Sequence, residues 1–304
     1  LLKRLQQEGG WSVLALDYEL GYLFEPKAAP PDWSTSPSRP LLRCWRFAEC
    51  RQLDASAAEC WLQARLGDGV AGIGDVQTAI SEEDYQIAVA RIQHYIAEGD
   101  CYQVNYTLPL NFSWYGSPLG LYARLRQQQP VRYGGFVGDA TQGIVSLSPE
   151  LFLERRGEHL LTRPMKGTAP RSVAAETLRT SLKDRAENLM IVDLLRNDLG
   201  RVAENGSVSV DGLFEIEEYP TVWQMVSTVS ARVGQRNLAE ILAALFPCGS
   251  IAGAPKIRAM QISAELEEGE RGLYTGALGW LAPDGDFRLN VAIRTLELAA
   301  DGSG

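Results

Sequence analysis

The sequence predicts an α+β fold of large, mixed, mostly antiparallel sheets flanked by helices. Three observations carry that expectation. Strand-like stretches come in runs broken by Gly, Asp and Pro turns, and two long segments repeat apolar residues at helical spacing. Strand and helix also fail to alternate strictly, as a doubly wound parallel sheet would require. With 304 residues, 45% of them apolar, the chain can bury a substantial core. Length alone leaves one or two domains open.

Trp11 to Phe24 mixes short apolar stretches with Gly21, and Leu41 to Phe47 alternates as a half-buried strand does. Between them, residues 26–40 hold five prolines and three serines. Such a segment continues neither a helix nor a central strand, so it is a loop and the best boundary candidate. From Ser81, the residues Tyr85, Ala88, Val89, Ile92, Tyr95 and Ile96 recur at helical spacing, with Ser81 and Asp84 placed as a capping box and Gly99 as the stop. Next, Tyr102, Val104 and Tyr106 alternate with Gln103, Asn105 and Thr107, which predicts a strand with one polar face.

A second long helix is predicted over 175–199, with Leu178, Leu182, Leu189, Val192 and Leu195 on related faces and Gly200 as its cap. Shorter helices are expected at Leu238 to Leu245 and, after Pro255, at Lys256 to Leu266. Strands are expected at 143–147, 151–155, 207–210, 225–233, 276–281 and 288–296. There is no internal repeat.

Charge and cysteines narrow the class. There are 29 Lys+Arg against 38 Asp+Glu, a net charge of −9. An acidic chain lacks the basic face that nucleic acid needs and is repelled by anionic lipid, so neither is an expected partner. No apolar run approaches the ~18–20 residues that cross a bilayer. The first residues form no signal peptide, and with Leu1 rather than Met at the start the natural start is expected upstream. Five cysteines, Cys44, Cys50, Cys60, Cys101 and Cys248, include no C-x-x-C pair, which fits a reducing cytoplasm.

Several segments carry chemistry. From His159 through Ala175 there are three cations, Arg163, Lys166 and Arg171, and no carboxylate. With Pro164 and Pro170 fixing the backbone, and Gly167 and Thr168 offering N–H groups, an anion-binding loop and a solvated basic turn fit equally well. Asp184 and Glu187 lie three apart on one helix face, a start toward a hard cation or simply a solvated surface. Residues 249–256 read as a glycine-rich turn opening a helix, without P-loop spacing. Tyr274 and Arg294 stand on two strands joined by the turn 283–286 and could grip a carboxylate, as could an ordinary hairpin. Glu150, after Pro149, would be an acid if buried. His94 and His159 are the only histidines and form no nucleophile–base set.

The order and wording of these segments resemble the chorismate-utilising family over roughly Gly10 to Leu296. That family includes the large subunits of anthranilate and aminodeoxychorismate synthases and the isochorismate and salicylate synthases. The stretches that carry the resemblance are 99–105 (GDCYQVN), Ser148-Pro149-Glu150, Pro164 to Arg171, 184–199 (DRAENLMIVDLLRNDL) and 253–260 (GAPKIRAM). The resemblance implies a single chorismate-binding catalytic domain spanning 1–304, with the loop 26–40 inside it. Relatives continue past the 293–296 strand into a helix whose paired glutamates complete a metal site, and they carry more chain upstream.

Within the family, two positions choose the branch. Gln103 stands where water-using members carry a lysine base, so a water nucleophile lacks its proton acceptor. Lys166 stands where the anthranilate and isochorismate branches usually have alanine. Resemblance to the aminodeoxychorismate branch implies that Lys166 attacks C2 of chorismate, that Glu150 protonates the departing C4 hydroxyl, and that ammonia then displaces the lysine from C4. It implies Mg²⁺ on Glu187 with Asp184 beside it, and substrate binding by Gly167, Thr168, Ser250, Tyr274 and Arg294. Ammonia would come from a glutamine amidotransferase subunit. The anthranilate branch has a histidine where this chain has Gln224, and a hydroxyl residue is common where it has Ala252. An anthranilate synthase large subunit and a non-catalytic chorismate-binding subunit are the alternatives.

Overall fold

The structure is a computed structural model that describes residues 2–33, 39–67 and 69–304. Among these, a nine-stranded sheet forms the frame. Its main path runs Met165–Pro170, Val222–Arg232, His159–Arg163, Leu151–Arg156, Phe287–Val291, Ala277–Leu281, Trp11–Leu16, Leu42–Phe47, and Ser209–Glu218 pairs beside Val222–Arg232. Every one of these pairings is antiparallel, as the runs of strands predicted. The strand Leu42–Phe47 pairs with Trp11–Leu16, so the strands on either side of the proline-rich segment are neighbours in one sheet. The centre of that segment, 34–38, is outside the described residues.

Alternation along the strands decides the layers. Leu14 and Leu16 belong to the large core with Ile191, Leu195, Leu199, Leu238 and Leu245, whereas Ala15 and Leu278 pack with Val137 and Ile144 on the other side. The first face is therefore covered by the helices Leu182–Gly200 and Leu238–Leu245. The second meets a three-stranded sheet of Gly135–Gly138, Gly143–Ser146 and Thr295–Leu298.

Helix ends follow local chemistry. Ser81 caps Glu82–Ala97 by accepting from the Asp84 amide, and Gly99 follows with φ 83°. Leu238–Leu245 and Lys256–Leu266 stand where the spacing predicts them, the former behind an Asn237–Glu240 capping box.

Four expectations need correction. The helix predicted over 175–199 is two, Ala175–Thr180 and Leu182–Gly200, because Ser181 is extended (φ −63°, ψ 110°) and caps the second through the Asp184 amide. Leu182 and Leu189 face outward, and Asn188 and Ile191 take the inner face. The strand expected after Tyr102 is only Gln103–Val104, paired with Gly253–Ala254. Beyond it, side chains satisfy the backbone: Arg271 donates to the Asn105 carbonyl, and the Thr107 amide donates to Glu267. The strand expected over 288–296 is two strands in different sheets, separated where Arg294 adopts φ 50°. Finally, the basic segment 163–171 is no loop. Met165–Pro170 pairs with Val222–Arg232, with a register shift between Met165 and Thr168.

Candidate active site

That strand disposes of two of the three cations. The Arg163 guanidinium donates to Glu217 at 2.9 Å, and Arg171 pairs with Glu218 at 2.5 Å while stacking on Trp223. Both carboxylates come from Ser209–Glu218, a strand distant in sequence. The local absence of acids therefore did not predict a free anion site. Lys166 is different: its side chain is 16% exposed, and among the described residues its only ion pair is with Glu187 Oε1 at 3.9 Å. Its backbone is held more firmly, since Asn188 Nδ2 donates to the Lys166 carbonyl and Asn188 Oδ1 accepts from Ser227 Oγ at 2.6 Å.

Gly167 (φ 98°) is where this strand meets the helix Leu182–Gly200. A Cβ there would lie 3.0 Å from the Asp184 Cβ and 3.3 Å from the Met225 Cβ. Glycine at 167 thus keeps the helix close enough for Glu187 to reach Lys166. Thr168 Oγ1 donates to Gln224 Oε1 at 3.0 Å across the paired strands.

Glu150 sits before the strand Leu151–Arg156, 4% exposed, next to Lys166 and the Met165 amide. Ser250 Oγ donates to Glu150 Oε1 at 2.6 Å. Burial raises the Glu150 pKa above the ordinary carboxylate value, against the opposing pull of Ser250, Lys166 and the Met165 amide. Ser250 is fully buried in the short helix Gly249–Ala252. Its carbonyl accepts from Asn105 Nδ2 at 3.1 Å, and Gln103 Nε2 reaches Asn105 Oδ1 at 3.3 Å, leaving Gln103 Oε1 buried without a partner. Gly253 (φ 134°) permits this approach, because a Cβ would lie 2.3 Å from the Gln103 carbonyl.

Sequence positions scattered over about 150 residues thus converge: buried Glu150 and Ser250 lie beside the half-buried Lys166, with Gln103 and Asn105 behind Ser250. Tyr274 and Arg294 line a neighbouring cavity of about 490 Å³ together with Thr107, Pro109 and Glu267; Lys166 and Glu150 are not among its walls. Thr275 and Arg294 both adopt positive φ, 63° and 50°, conformations that store strain at special sites. The Arg294 carbonyl accepts from the Leu147 amide at 2.9 Å, which ties this cavity to the chain leading into Glu150.

The acidic pair is less complete than its spacing suggested. Ser181 Oγ donates to Asp184 as part of the helix cap, and Glu187 already faces Lys166. No group of three His, Cys, Asp or Glu side chains that could hold a metal ion occurs among the described residues. Two such engaged carboxylates do not by themselves make a Mg²⁺ centre.

Two participants escaped the sequence reading. Asn188 holds Lys166 from a position in register with Ile191, Val192 and Leu195, and a polar residue on an apolar stripe was the available signal. Cys248 lies 3.1 Å from Ser250 Oγ, a contact that no local pattern announces.

The model of the family described as chorismate binding enzyme matches residues 2–303. The chain belongs to that family. Over 255 residues it is 41% identical to aminodeoxychorismate synthase component 1 of Klebsiella aerogenes, covering 80% of this chain and 56% of that protein. It is 39% identical to anthranilate synthase component 1 of Streptomyces coelicolor (strain ATCC BAA-471 / A3(2) / M145) over 232 residues, 73% of this chain and 45% of that one. The chain spans about half the length of the curated relatives it matches. Among solved structures, anthranilate synthase component I from Streptococcus pneumoniae TIGR4 superposes with a TM-score of 0.80 at 26% identity, over 97% of this chain and 74% of that one. The α+β architecture predicted from the strand runs is the fold of this family. No helix among the described residues is long and apolar enough to cross a membrane.

Proposed function

We propose that this chain carries the aminating centre of an aminodeoxychorismate synthase, which joins ammonia to C4 of chorismate. Lys166 carries the reading. It is an amine set on a sheet strand beside a buried carboxyl, 3.9 Å from its nearest carboxylate partner and held through its backbone by Asn188.

In the first step the Lys166 amine bonds through Nζ to ring carbon C2, both ring double bonds shift one place toward C4, and the C4–O bond breaks. Glu150 gives its proton to the departing hydroxyl, which leaves as water. Burial suits Glu150 to that role by raising its pKa above the ordinary carboxylate value. In the second step ammonia bonds to C4, both double bonds shift back, the C2–Nζ bond breaks to return the amine, and the proton shed by the new C4 amine restores the Glu150 acid. Covalent catalysis of this kind replaces one hard substitution with two easier ones. The absence of a lysine at Gln103 supports ammonia over water as the nucleophile, since an amide is no base.

Gly167, Thr168, Ser250, Tyr274 and Arg294 are proposed to bind the substrate. Arg294 and Tyr274 are the most open of them, and the planar Arg fork suits a carboxylate. Ammonia is proposed to come from a glutamine amidotransferase subunit, and the name "component 1" of the Klebsiella relative supports a partner component. No step here runs through Mg²⁺.

The test is incubation with chorismate and an ammonium salt, with products separated by chromatography and the protein weighed by mass spectrometry. The reading expects 4-amino-4-deoxychorismate, and an adduct that disappears in Lys166→Ala. Anthranilate as the product, or amination undiminished in Lys166→Ala, overturns it.

A further inference from the structure

Cys248 stands behind Glu150 and takes no part in the steps above. It precedes the helix Gly249–Ala252 and is 2% exposed. Its Sγ lies 3.1 Å from Ser250 Oγ, which lies 2.6 Å from Glu150 Oε1. Thiol, hydroxyl and carboxyl form one buried line.

We propose that Cys248 is a positioning residue: through Ser250 it fixes which oxygen of the Glu150 carboxyl carries the transferable proton. The proposal rests on the reading of Glu150 as the acid. A hydroxyl owns one proton. With that proton directed at Glu150 Oε1, Ser250 Oγ presents only lone pairs to Cys248, and the thiol is the donor. The line then runs from S–H to O–H to Oε1, and the carboxyl proton is left to Oε2.

The reverse line is poorer. A proton on Oε1 would be given to Ser250, and Ser250 would have to give its own to sulfur, a weak acceptor. Sulfur therefore sets the direction, which an oxygen in its place would not. Burial, with the Glu150 charge adding to it, pushes the thiol up to about 12, so this end of the line stays protonated. Other charged groups approach from two elements. Lys166 acts on Glu150 from the strand Met165–Pro170. Lys256 acts on the thiol from the helix Lys256–Leu266, but its amine is engaged by Asp198 and the Leu245 carbonyl. Neither lysine hydrogen-bonds Ser250, so neither replaces the thiol as donor.

The decisive variant is Cys248→Ser in the full chain. Its hydroxyl accepts as well as it donates, so the line can run both ways and part of the molecules carry the proton on Oε1. The first measurement is an infrared pH titration of the protonated-carboxyl band, assigned to Glu150 by its loss in Glu150→Gln. The parent should show one such band, and Cys248→Ser should add a second. A single band at the parent position in Cys248→Ser overturns the proposal. If that variant folds poorly by thermal melting, Cys248→Ala serves, because it also removes the sulfur bias.

The second measurement is turnover of chorismate with ammonium. Here kcat should fall roughly three- to ten-fold with the KM for chorismate unchanged, a fraction of the ~10²–10⁴ that a general acid supplies. A parent-like kcat and pH profile also counts against the role. The infrared result needs no turnover, so it stands apart from the functional reading. Full activity in Glu150→Gln would remove Glu150 as the acid while leaving the band pattern to decide Cys248.

Discussion

Two lysines of this chain sit among carboxylates, and they are held in opposite ways. Lys256 makes an ion pair with Asp198 at 2.5 Å and donates to the Leu245 carbonyl at 2.9 Å, the first partner buried in the helix Leu182–Gly200 and the second at the end of Leu238–Leu245. Lys166, against the first turns of the helix Leu182–Gly200, has its backbone fastened by Asn188 and its amine 3.9 Å from Glu187. An ammonium with two of its three donors given to buried partners is structural, and removing it strands a carboxylate in a dry interior. A lysine whose main chain is clamped while its amine keeps one distant partner is positioned without being consumed. The difference teaches that burial of a lysine is no guide to its role; what its donors already hold is.

Substitutions at both lysines can break this contrast. Lys166→Ala should lower amination of chorismate by roughly 10³-fold or more while leaving the denaturant midpoint close to that of the parent. Equal loss of activity and stability at Lys166 would erase the distinction. Lys256→Ala should cost about 3–5 kcal/mol in urea unfolding, because Asp198 is left buried and unpaired. The double replacement Lys256→Met with Asp198→Leu should recover most of that loss. If it does not, the pair is more than a neutralised charge.

A carboxylate with no lysine sharpens the same point. Glu19 is 3% exposed and accepts from the Arg271 and Gly272 amides. Burial nevertheless raises its pKa from 4.5 to about 7. The folded protein therefore holds this proton more tightly than the unfolded chain. The resulting stabilisation is complete below about pH 4.5 and is lost as the pH climbs through about 7, a change of about 3 kcal/mol at most. Unfolding curves across that window should show the decline, and Glu19→Gln should flatten it. The smallest effect is expected at Ser181→Ala, about 1 kcal/mol from the lost cap of the helix that carries Glu187 and Asn188. Guanidinium unfolding measures it, and a cost near zero would mean that Asp184 caps the helix unaided.

The legible part of the molecule was the part written in short-range pattern. Ser81 with Asp84 announced one helix start, and Asn237 before Leu238–Leu245 marks another. The same Ser-x-x-Asp spacing at Ser181 and Asp184 lay inside a longer apolar rhythm and was overrun by it, so two helices read as one. In the structure one oxygen of the Asp184 carboxylate accepts from the Ser181 hydroxyl at that helix start. The strand 288–296 read as continuous because no Gly or Pro interrupts it. Its break at Arg294 depends on the Leu147 amide, more than a hundred residues away in the chain.

The sequence by itself determined the antiparallel, mixed architecture and the candidate residues Lys166, Glu150 and Ser250, since period, turn chemistry and motif wording are local properties of the chain. Only the tertiary structure decided which cations were already spent. Arg163 and Arg171 are neutralised by Glu217 and Glu218 from another strand, Lys256 by Asp198, and Lys166 is left beside Glu150. The reason is physical: a charge is free or bound according to its neighbours in space, and pairing across a sheet joins residues whose separation along the chain carries no trace of it.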